Sequence, residues 1–241
     1  MSPYELEIRQ MGFFRTALIA GVRPGQSDNL KTIMATPPAD LKQCLNATGI
    51  RQFSAYAKRF SESDWCIVYF DYSGQDREAA AQALECSSPW WNQVTACLEP
   101  HPRVIGKTSK WTRMEWINHV RGADMKTAAT VEQGMVVTRL HPEKELWYRT
   151  LHQTNWPGVG DQMARSNIRH WTTFLIEVGP ELYMFSYNEY IGSDREGDMK
   201  AMQADPVTQR WWTHTEPCLN PLPEMAGKGS WAGMTQLLQL P

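Results

Sequence analysis

Apolar and polar positions along the chain follow helical and strand-like spacings in one order, and that order occurs twice. In the second half, Met135 to Leu140 is an apolar run of strand length. Pro142 stands where a helix can begin, because its missing N–H is not needed in a first turn, and Glu143 to Gln153 continues with helical spacing. Trp156-Pro157-Gly158 breaks that helix, and a second helical stretch runs from about Val159 to Arg165. Arg169 to Val178 and Leu182 to Tyr190 are rich in Thr, Phe, Tyr and Ile and flank Gly179-Pro180, which predicts a β-hairpin. Tyr183, Phe185 and Tyr187 share one face of its second strand, while Trp171, Thr173 and Leu175 share one face of its first. Gly192 to Gln203 reads as a helix with Asp194 near its positive end, Pro206 to Glu216 as a shorter helix, and Leu237 to Leu240 as a last strand.

The first half repeats the plan. Phe13 to Val22 is a strand, Asn29 to Asn46 is helical around Pro37-Pro38, Gln52 to Lys58 and Cys66 to Tyr72 form a hairpin, and Arg77 to Glu85 is a helix. Short identities mark the same repeat. Asp76-Arg77-Glu78 returns as Asp194-Arg195-Glu196, Trp90-Trp91 as Trp211-Trp212, Cys97-Leu98 as Cys218-Leu219, Trp111 and Met114 as Trp231 and Met234, and Pro24 as Pro142. The offsets stay between 118 and 121 residues, which one chance dipeptide cannot produce.

A β-α-β-β-α repeat closed by one more strand is a ferredoxin-like plan of the α+β class. Each antiparallel sheet carries helices on one face and needs cover on the other, so two sheets packed face to face predict a single-chain pseudo-dimeric α/β barrel. The expected organisation is residues 1–120 as a first repeat, 121–133 as a polar linker, and 134–241 as a second repeat.

Composition narrows the field of functions. With 42% hydrophobic and 21% charged residues, a net charge of −2 and a pI near 6.3, the chain has no basic stripe for nucleic acid and no polybasic segment for a membrane. Five cysteines without CxxC spacing read as free thiols. The apolar run Thr16 to Val22 is too short to span a bilayer, and Glu5, Glu7 and Arg9 upstream do not resemble a secretion signal, so the expected location is the cytoplasm. The eleven tryptophans are either core or flat platforms for the C–H faces of sugars.

Two clusters could carry chemistry. Tyr148 and His152 are four apart and share one helix face, and Trp156 follows one turn later, where Pro157 stops the helix. An imidazole there can exchange protons near neutrality, with Tyr as a second hydrogen-bonding group. The alternative is a helix face packed on the sheet with His152 merely hydrogen-bonded. The second cluster is Gln209-Arg210-Trp211-Trp212, which can equally be the packing face of a short helix. The six histidines are scattered without metal-ligand spacing, and there is no Walker, GxGxxG or GxSxG motif, so no metal and no cofactor are expected.

Tyr148…His152…Trp156-Pro157, Gln209-Arg210-Trp211-Trp212 and the terminal Leu237-Leu-Gln-Leu-Pro241 resemble the L-rhamnose mutarotase family, small ferredoxin-like proteins that form dimeric α/β barrels. The resemblance covers roughly residues 134–241 and more faintly 13–120. It implies anomer interconversion of a small-molecule pyranose without cofactor or metal. His152 would carry the proton, Tyr148 would assist, and Trp211 and Trp212 would line the sugar site with Trp156, His170, Gln209 and Arg210 around it. Aligned through Pro24 and Pro142, the first half has Leu30 at the Tyr position and Met34 at the His position, and neither transfers protons. One working site per chain is therefore expected, the first half standing in for a partner subunit, with further oligomerisation open. His170 and Phe174 stand where the family more often has Asn and Tyr, which bears on substrate. Two other classes remain open: a non-catalytic carbohydrate-binding protein, and a dimeric α/β-barrel oxygenase or haem-binding protein using His152, His170 or His214 as iron ligand.

Overall fold

A computed structural model describes residues 12–104, 109–122 and 130–240. The core of the expected linker, 123–129, and the N-terminal residues weighed as a secretion signal lie outside the described residues. The chain is α+β and divides into two compact units, Met1–Met114 with Thr235–Pro241, and Glu115–Met234.

The first unit is built on β1 (Phe14–Val22), α1 (Ser27–Ala35), α2 (Leu41–Ala47), β2 (Ile50–Phe60), β3 (Ser63–Tyr72), α3 (Ala80–Glu85), α4 (Trp90–Ala96) and the short β4 (Leu98–Glu99) and β5 (Thr112–Arg113). The second is built on β6 (Glu115–Val120), β7 (Glu132–Leu140), α5 (Glu145–Gln153), α6 (Pro157–Arg165), β8 (Ile168–Val178), β9 (Glu181–Tyr190), α7 (Arg195–Ala204), α8 (Pro206–Thr215) and β10 (Ala232–Gly233). The last strand, β11 (Thr235–Leu240), returns to the first unit. Helices α1 and α5 are offset by 118 residues at both ends, so the alignment through Pro24 and Pro142 holds element by element.

The strand orders are β11-β2-β3-β1-β4, with β5 also on β1, and β10-β7-β9-β8-β6, all antiparallel. Each repeat therefore keeps its penultimate short strand on its own sheet and lends its last strand to the other. Strand β6 pairs with β8, and β11 pairs with β2. Glu115–Val120, just ahead of the expected linker, is a strand, and β7 already begins at Glu132 within it.

The repeated sequence marks have structural causes. Asp76 and Asp194 both cap helix starts, accepting from the backbone N–H of Glu78 and Gly197 at 2.9 Å. Asp205 does the same for Thr208 at 2.8 Å, with Pro206 in the first turn of α8. In the first unit, Leu30, Met34, Phe53, Trp90 and Trp91 belong to one buried core between helices and sheet. In the second, Leu140, Tyr148, Leu175, Met184 and Cys218 belong to a buried core. All five cysteines are free. Among the described residues no helix is long and apolar enough to cross a membrane.

Candidate functional site

The helix-covered side of the second sheet holds a cavity of about 220 Å³ at the place where the first unit is solidly packed. Tyr148 and His152 of α5 form one wall, Trp211, Trp212 and Thr208 of α8 another, and Trp171 of β8 and Trp231 close it from the sheet side. Of the two rows of the hairpin, Trp171, Thr173 and Leu175 face this side, while Tyr183, Phe185 and Tyr187 are buried on the opposite face.

Aromatic contacts fix the imidazole. The Tyr148 and His152 rings stack with centroids 4.0 Å apart, and Trp211 meets His152 edge-on at 5.2 Å. His152 Nδ1 lies 2.9 Å from the backbone carbonyl of Tyr148. A carbonyl only accepts, so Nδ1 carries the proton and Nε2 presents its lone pair. Nε2 makes no hydrogen bond among the described residues. Burial pulls the imidazole down to about 4, opposed by the bond to the Tyr148 carbonyl, so the ring is neutral at physiological pH. Burial, reinforced by Cys218 and Glu216, holds the Tyr148 phenol well above its ordinary range, so it stays protonated.

Among the described residues, Glu216 is the sole carboxylate on the wall, and no Lys or Arg lines it. Its Oε2 accepts from the Ser230 hydroxyl. Asn118 and Asn155 stand together beside Tyr148 and His152. Thr208 Oγ1 is buried on the wall without a hydrogen-bond partner among the described residues. The arrangement offers one neutral base, one protonated phenol, several aromatic faces and a few neutral hydrogen-bonding groups.

The other sequence-selected residues are spread around this centre. Trp156 backs the wall, edge-on to Trp211 at 5.4 Å and to His214 at 5.6 Å, with the Arg210 guanidinium 5.5 Å above its ring. Gln209 is exposed and donates to the Gln203 carbonyl at 2.9 Å, bracing the junction of α7 and α8. His170 lies on the other face of β8 from Trp171, 3.8 Å from Glu189, which Tyr187 and Arg169 also hold. Asn118, Thr208, Glu216 and Trp231 were not singled out from the sequence as site residues. Only Trp231 had carried a signal, through its repeat partner Trp111. Among the described residues no cluster of His, Cys, Asp and Glu could hold a metal ion.

In the first unit, Leu30 and Met34 are 1% and 0% exposed inside the core. A recess of about 300 Å³ in that unit lies elsewhere, lined by Lys42, Asn46, Arg51 and Gln52 among others.

Comparison with known proteins adds three findings. The family model described as L-rhamnose mutarotase matches this chain twice, over residues 15–120 and 134–240. The L-rhamnose mutarotase of Shouchella clausii (strain KSM-K16) is 20% identical over 83 residues, which cover 34% of this chain and 75% of that protein. In fold, the chain is similar to a crystal structure from Fusobacterium nucleatum subsp. nucleatum named as a monooxygenase, with a TM-score of 0.54 and 10% identity over 93% of this chain and 92% of that one. At that identity the likeness concerns architecture alone.

Proposed function

This chain belongs to the L-rhamnose mutarotase family, and on that premise we propose that it interconverts the α and β anomers of a rhamnose-like pyranose in the cavity of the second unit, with His152 as proton carrier. The observation that carries the reading is the neutral imidazole with its Nδ1 proton tied to its own helix and Nε2 available between Tyr148 and Trp211.

Mutarotation needs a proton taken from the anomeric hydroxyl and one given to the ring oxygen. Both oxygens are bonded to the same carbon, so one imidazole reaches both. Nε2 takes the hydroxyl proton. The C1–ring oxygen bond breaks as C1 becomes an aldehyde, and the ring oxygen receives the proton from the imidazolium. The C1–C2 bond turns, and the steps reverse on the other face of the carbonyl. The Tyr148 carbonyl at Nδ1 supports the transient positive charge. The Tyr148 hydroxyl, kept protonated, acts as a hydrogen-bond donor to sugar oxygen. Trp211, Trp212 and Trp171 offer flat faces to the C–H surfaces of the ring. An acid–base group so placed contributes on the order of 10²–10⁴-fold.

Magnetisation transfer between the two anomeric protons of L-rhamnose tests the proposal. The expected result is exchange well above the protein-free rate. Binding without faster exchange would instead make the chain a carbohydrate-binding protein.

A further inference from the structure

We propose that Asn118, carried into the second unit on the strand lent by the first repeat, positions the sugar together with Asn155 and so sets which pattern of pyranose hydroxyls the site accepts. The inference rests on the mutarotase reading above.

Strand β6 lies inside the first family match, residues 15–120, yet it pairs with β8 of the second unit. The other lent strand, β11, carries the same irregularity. The register shifts between Trp116 and Asn118 in one and between Gln236 and Leu238 in the other. Asn118 and Leu238 therefore occupy equivalent places. Leu238 packs into the apolar core of the first unit. Asn118 is 5% exposed and lines the cavity. Putting a carboxamide where the fold accepts leucine costs stability unless its polar atoms find partners.

Asn155 is the partner. Its Nδ2 donates to Asn118 Oδ1 at 2.9 Å, and Asn118 Nδ2 reaches back to Asn155 Oδ1 at 3.4 Å. At the offset of 118 residues the first repeat has Pro37 in the place of Asn155. Both amides of the pair are thus absent from the packed unit, as are Tyr148 and His152. Four positions turn polar together around one cavity, and one of them comes from the repeat whose own site is filled.

A carboxamide has two N–H donors and two acceptor lone pairs. The reciprocal pair uses one of each on each residue, leaving each amide a donor and an acceptor. That set matches two neighbouring sugar hydroxyls, each of which donates once and accepts once. Glu216, the charged group on the wall, can only accept. Asn155 stands three residues beyond His152, and both amides line the same cavity as His152, so a sugar held by the pair has its ring fixed relative to Nε2.

The test uses Asn118→Leu, which installs the residue of the equivalent strand, together with Asn118→Ala, Asn155→Ala and the double alanine variant. Thermal melting reports folding. Asn155 is only half-buried at a helix end, so its variant is expected to fold whatever happens at 118. Exchange kinetics are measured on L-rhamnose, 6-deoxy-L-glucose and 6-deoxy-L-talose, which differ from one another by one or two hydroxyl configurations. Loss of the contact is expected to raise KM by roughly tenfold, with kcat changed far less. The preference among the three sugars should fall toward one, and the double variant should be no worse than either single one. A folded variant with unchanged KM and unchanged preference would reduce the pair to a structural tie and overturn the proposal while leaving the mutarotase reading intact. If the parent binds these sugars without exchanging them, calorimetric Kd values replace KM and the same outcomes decide. A parent that neither binds nor exchanges any of the three overturns both.

Discussion

Acidification separates the buried His152 from an ordinary histidine. A free imidazole is half protonated near pH 6.5. Burial lowers His152 to about 4, so at pH 6.5 only roughly 0.3% of it carries the extra proton. A base that must be neutral to act then gives an exchange rate flat from pH 8 to about 5 and halved near pH 4. The assay is magnetisation transfer on L-rhamnose across that range, with the protein-free rate subtracted at each pH, alongside the shift of the His152 ring protons in the sugar-free protein. Stability follows the same group. Its folded value lies below the unfolded one, so between the two the unfolded chain binds more protons. The contribution to folding is complete above about 6.5 and is lost as pH falls through about 4. A rate that halves between pH 6 and 7, with the ring shifts moving over the same interval, would refute the argument from burial.

Two further outcomes bear on the scaffold and the wall. Asp194→Ala removes the acceptor for Gly197 N–H and should lower stability by about 1 kcal/mol in denaturant unfolding, with exchange per folded molecule unchanged. Trp211→Ala takes away the ring that meets both His152 and Trp156, and should weaken sugar binding at least tenfold by calorimetry while lifting the His152 titration toward its ordinary value as water enters.

The repeat was legible because its marks serve local physics that any copy of the fold requires. Asp76 and Asp194 cap helices, Trp90 and Trp211 are buried, and Pro24 and Pro142 stand in the turns just ahead of α1 and α5. Tyr148 and His152 were legible because four-residue spacing puts both on one helix face. What failed to show was long-range. Asn118 sits in a polar stretch, and nothing local tells a reader that its strand pairs with β8, 55 residues on at Thr173. Glu216 and Thr208 reach the cavity through the packing of α8, which no periodicity encodes. His170 and Trp171 are adjacent in sequence, but strand alternation sends one toward Glu189 and the other to the cavity. Gln209 and Arg210 belong with Trp211 in sequence, while the helix turns them outward to Gln203 and the far side of Trp156.

The central claim is the asymmetry between two copies of one fold, and a matched pair of substitutions tests it most directly. Position 34 and position 152 are equivalent in the repeat. Met34→Leu conserves volume in the packed unit and should cost less than about 1.5 kcal/mol of stability. It is expected to leave anomer exchange of L-rhamnose within about twofold of the parent, whereas His152→Leu should remove about 10²–10⁴-fold with the fold intact. Exchange that survives His152→Leu, or that disappears with Met34→Leu in a folded protein, would contradict a single catalytic site in the second unit.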